Sequence, residues 1–201
     1  MDFTALDFNE HISLFVLQSR EGLHRMDLEA EILREHSKHQ AVGIARCIGA
    51  DRRRFKKLME LFLHGEYRVT QRSAWIVSQC YEQHPCLITP WLPAMLKKMQ
   101  EPGVHDAVKR NGVRILQCIE IPDSLLGTVV SLCFDYLNSV DAPIAVKAHS
   151  MTVLKRIAER EPGLKRELRD SIELMLPYAR PAIHARARMV LKRLEAYPVK
   201  T

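Results

Sequence analysis

The side chains best equipped for chemistry in this sequence are cations. Lys109, Arg110 and Arg114 form a first group. Lys147, His149, Lys155 and Arg156 form a second, and His184, Arg186, Arg188, Lys192 and Arg193 a third. Corresponding members are separated by 37 or 38 residues, so Lys109, Lys147 and His184 would make one row and Asn111, His149 and Arg186 the next. Rows of cations along a groove suit phosphates or carboxylates. The plainer reading is a solvated helix face whose Lys and Arg stems cover apolar surface. The charge is unevenly spread: residues 142–201 carry 13 Lys/Arg against 6 Asp/Glu, whereas residues 1–141 carry 17 against 18. The net +6 therefore resides in the last third, which permits an acidic partner without requiring one.

The remaining candidates are weaker. Arg52, Arg53, Arg54, Lys56 and Lys57 cluster where a helix should start, an end that favours anions. A phosphate would reconcile them, but Asp51 as an N-cap with the cations fanning into water suffices. His36 and His39 could share a helical face next to Glu35, with His64 nearby, yet no third metal ligand is identifiable. Trp75 and Trp91 are read as packing residues rather than an aromatic platform. The five cysteines, at 47, 80, 86, 118 and 133, include no Cys-x-x-Cys pair, which argues against a zinc site or a disulfide framework. Cys80 and Cys118 share a repeat position and are expected to be buried thiols. No P-loop, dinucleotide fingerprint or nucleophile elbow occurs. The expectation is therefore a binding protein without a cofactor, more in keeping with a non-enzyme.

The elements that position these groups are helices. Four segments align: 70–81, 108–119, 146–157 and 183–194. One slot is small (Ala74, Gly112, Ser150, Ala187), and three residues later it is β-branched (Val77, Ile115, Val153, Val190). The next slot holds Ser78, Leu116, Leu154 and Leu191, and the last holds Tyr81, Ile119, Ile157 and Leu194. These are positions i, i+3, i+4 and i+7, one face of an α-helix. Pro85, Pro122, Pro162 and Pro198 follow the four segments, where proline ends a helix or opens the next. First helices are expected within Phe55–Leu63, Leu87–Met99, Leu125–Leu137 and Leu164–Leu176. Further upstream, Lys38–Ile48 reads as another second helix and residues 5–20 as a degenerate first one.

Paired helices of about 40 residues with these slots resemble HEAT repeats over residues 52–195. Arg72 and Arg110 fill the family's second-helix arginine slot and Asp141 its turn aspartate, while Ala148 and Ala185 depart from the pattern. The resemblance implies an all-α, right-handed α-α superhelix, an armadillo-like solenoid of about five helical pairs, with the second helices on its concave side. The expected organisation is one domain over 1–201, comprising an irregular N-terminal unit at 1–51 and four repeats at 52–197. The expected function is a scaffold for a protein or other acidic macromolecule. The alternative is nucleic-acid binding, including base excision of the kind performed by HEAT-like alkylpurine DNA glycosylases, which use an Asp in a basic groove. Of Asp106, Asp123, Asp135, Asp141 and Asp170, Asp106 comes nearest to such a place. The di-iron hydroxylases built on HEAT repeats carry His-Glu pairs, and this sequence has none. The acidic start MDFTALDFNE lacks a signal-peptide core, and no apolar run is long enough for a membrane span, so a cytoplasmic protein is expected.

Overall fold

A computed structural model describes residues 27–195. All regular structure there is helical. The helices are α1 (Leu28–Arg34), α2 (Lys38–Ile48), α3 (Arg52–His64), α4 (Tyr67–Gln83), α5 (Leu92–Met99), α6 (Asp106–Leu116), α7 (Asp123–Asn138), α8 (Ile144–Arg160), α9 (Leu164–Met175) and α10 (Pro181–Glu195). They pair in order, an odd-numbered first helix with the even-numbered second helix that follows. The described residues form two compact units, divided between Thr89 and Pro90.

In the first unit, α4 packs against α1, α2 and α3. The expected first helix at 5–20 lies outside the described residues. The described residues add a short helix at Leu28–Arg34, which sequence periodicity missed because seven residues are too few to show it. Asp27 starts this helix: its carboxylate accepts from the amides of Glu29 and Ala30 at 3.1 and 3.3 Å. That satisfies donors which the helix itself leaves open. Asp51 does the same for α3, accepting from Arg53 and Arg54 at 2.8 and 3.2 Å. The Arg54 amide foremost, working against desolvation and helped by the Arg53 amide and both guanidinium charges, holds the Asp51 carboxyl below its ordinary 3.8. The Arg52–Arg54 cluster is thus reconciled with its helix start by the cap.

In the second unit, α6, α8 and α10 lie side by side, α8 touching both neighbours. The repeated slots face inward. Ile115, Leu154 and Val190 are between 1% and 3% exposed. Ala74, Gly112, Ser150 and Ala187 are all buried. The small slot permits close approach: a methyl group on Gly112 would fall 2.3 Å from Met99 Sδ. The same contact zone is tied by Tyr136, whose hydroxyl donates to the Met99 carbonyl at 2.7 Å.

Two boundaries differ from expectation. The first helix foreseen from Leu87 begins at Leu92, because Pro85 and Pro90 confine the chain to short 3-10 turns at Pro85–Leu87 and Thr89–Trp91, and Pro93 sits in the first turn of the helix where proline is tolerated. Helix α6 stops at Leu116, so Cys118 lies past its end and is exposed. The expectation of a buried Cys118 is corrected by this early stop. Cys80, inside the longer α4, is buried, and desolvation pushes its thiol up to about 12.

Candidate functional site

The cations expected to form one surface divide into distinct groups. Helices α6, α8 and α10 bring Arg110, Arg114, His149 and Arg186 together. His149 is half-buried in α8, and its Nδ1 donates to Gln117 Oε1 at 3.0 Å, just past the end of α6. Its pKa is depressed below the ordinary 6.5. Desolvation is the main cause, followed by the positive charges of Arg186, Arg114 and Arg110 in that order. Arg186 is steadied by donating to Thr152 Oγ1 of α8 at 3.1 Å. Three guanidinium groups from the two flanking helices therefore disfavour the protonated imidazole. Positive charges acting on one site repel one another, and an anion placed among them would relieve that repulsion.

Arg156 belongs to a different class. Its guanidinium reaches from α8 to the exit of α6, donating to the carbonyls of Leu116 at 3.2 Å, Ile119 at 3.3 Å and Gln117. These are the acceptors that a helix C-terminus leaves unpaired, and a fork-shaped cation suits them. Its binding capacity is spent inside the fold. Arg72 works in the same way in the first unit, donating to the Ile32 and Leu33 carbonyls at the end of α1 at 3.3 and 2.7 Å. The arginine slot thus has a structural use, and Arg156 performs it from a different register position.

Arg193 pairs with Glu159 at 3.2 Å, and Lys155 meets the same carboxylate at 3.3 Å. Lys109 lies 3.9 Å from Asp106. That pairing also settles the surroundings of Asp106, an exposed residue in the first turn of α6 rather than a buried acid. His184 and Arg188 are exposed on α10. Lys147 borders a cleft between α7, α8, α9 and α10. In the first unit, the His36 ring stands edge-on to Trp75 with centroids 5.7 Å apart. Among the described residues, no three metal-ligating side chains gather.

Sequence reasoning missed Gln117 and Thr152. Nothing in their type or spacing distinguishes them, since each matters only through a side chain on another helix.

A family model described as a HEAT repeat domain matches residues 28–194. This chain belongs to the HEAT-repeat family. The match spans all five helical pairs, including the short α1 and α2 that the repeat alignment left outside. No curated protein and no solved structure matches the chain. HEAT repeats commonly serve as protein-interaction scaffolds. No helix among the described residues is long and apolar enough to cross a membrane.

Proposed function

We propose that this HEAT-repeat protein is a binding scaffold without chemistry of its own, and that the α6–α8–α10 row grips an acidic segment of a partner protein. The observation that carries this reading is the positive charge of Arg186, Arg114 and Arg110 acting on the half-buried His149. A glutamate- or aspartate-rich segment would bring carboxylates into the positive field around His149. Arginine suits the task because its planar fork binds a carboxylate through two hydrogen bonds.

The test is fluorescence anisotropy with labelled polyglutamate, duplex DNA and single-stranded DNA across a salt series. Polyglutamate is expected to bind, more weakly as salt rises, and Arg110→Ala combined with Arg186→Ala should reduce its affinity about tenfold. If both DNAs bind and polyglutamate does not, the nucleic-acid reading replaces this one. Release of bases from alkylated DNA would then establish a glycosylase. Absence of any binding at low salt rejects the anion site altogether.

A further inference from the structure

The second unit carries a separate recognition surface in the cleft of about 1340 Å³ that Lys147 borders. Helix α7 buries six of its residues, among them Phe134, Tyr136 and Leu137, whereas α9 buries only Leu168 and Ile172. The sparsely anchored α9 leaves an apolar trough against the end of α7 and the connection that follows. Val140, Leu174 and Tyr178 line it and are 92%, 77% and 90% exposed. Three large apolar side chains so exposed around one concavity mark an interaction site rather than ordinary surface. The volume exceeds the range of about 300–1000 Å³ typical of small-molecule pockets, so it better fits a length of peptide.

The electrostatics specify the peptide. Lys147, Arg166 and Arg180 stand at the cleft with Glu167 and Asp170. Asp170 is already engaged by Arg166 at 3.8 Å. Lys147 and Arg180 have no ion-pair partner among the described residues. Pro143 and Gly163, the N-caps of α8 and α9, also line the cleft, and neither helix start has a side-chain cap. Two positive helix ends thus add to two unengaged cations, and together they outweigh Glu167.

We infer that this cleft docks an amphipathic peptide of a partner protein, one that seats two or more large apolar side chains on Val140, Leu174 and Tyr178 and directs a carboxylate to Lys147 and Arg180. The surface is distinct from the His149 cluster. Lys147 precedes His149 by two residues on α8, about half a turn round the helix, and does not contribute to the charge environment of that imidazole.

The experiment pans a random peptide display library against the full chain and measures the enriched sequences as synthetic peptides. Enriched peptides should combine large apolar residues with Asp or Glu. Val140→Asp with Leu174→Asp should weaken them about thirtyfold. Lys147→Glu with Arg180→Glu should weaken them about tenfold, and replacing the peptide's acid with Lys should recover affinity for that charge-reversed variant. Val140, Leu174 and Arg180 are exposed and Lys147 is half-buried, and an unchanged thermal melt will separate lost binding from lost folding. Basic or purely apolar peptides, or peptides insensitive to these substitutions, would overturn the inference. So would a sedimentation experiment showing a dimer that Leu174→Asp dissolves, since the occupant would then be a second copy of the chain.

Discussion

Leu154→Ala is expected to destabilise the protein by about 3 kcal/mol, read as a shift in the urea midpoint with an unchanged slope. Leu154 is 1% exposed in the middle of α8, and α8 packs against both α6 and α10. Truncation removes buried methyl groups and leaves a cavity that three packed helices can close only in part. In a repeat array each unit is held by its neighbours, so a defect in the middle helix weakens two interfaces at once. The equivalent Leu191 on α10 is only half-buried. Leu191→Ala should therefore cost about 1 kcal/mol, because less of its side chain is removed from water. Equal effects at the two sites would contradict the layered packing.

Arg156→Ala is expected to cost about 2–3 kcal/mol, although no salt bridge is lost. The guanidinium is half-buried and serves the carbonyls of Leu116, Gln117 and Ile119 at the exit of α6. Removing it strands acceptors that no neighbouring donor replaces, and the penalty for leaving them dry exceeds the modest gain of making the bonds. Arg156→Lys should recover only part of the loss, because one ammonium cannot span three carbonyls as a planar fork does. Arg188→Ala, on the exposed face of α10, should change stability by less than about 0.5 kcal/mol. Denaturant melts of these variants distinguish the structural arginine from the solvated one, which the sequence presents as near equivalents.

The same contrast shows what could be read from the residues. A recurrence of small, β-branched and aliphatic slots at 37 or 38 residues is a statement about burial, and burial follows helical period. Ile115, Leu154 and Val190 therefore stood where they were expected. The Asp51 cap was equally legible, since a carboxylate one residue before a helix has few competing uses. The beginning of α5 was not, because an apolar run from Leu87 says less about helix than Pro85 and Pro90 say against it. Nor could the cations be sorted. Arg110, Arg156 and Arg193 look alike on a helical face, yet one joins the His149 cluster, one caps a neighbouring helix and one pairs with Glu159. The difference lies in side-chain distances of about 3 Å between helices, which no periodicity encodes. The cleft escaped for a related reason: it arises from how little of α9 is buried, not from any motif within it.

The most direct measurement of the central claim, that three arginines converge on His149 to receive an anion, is an NMR pH titration of that imidazole. The folded-state pKa is depressed, so the unfolded chain binds the proton more readily. His149 accordingly contributes stability that is complete above about pH 6.5 and is lost as pH falls through the lower folded-state value. The free protein is expected to show a pKa below 6.5, rising in part with Arg186→Ala or Arg110→Ala, since desolvation remains, and rising further when polyglutamate fills the site. A His149 that titrates at 6.5 or above, indifferent to both substitutions and to polyglutamate, would contradict it.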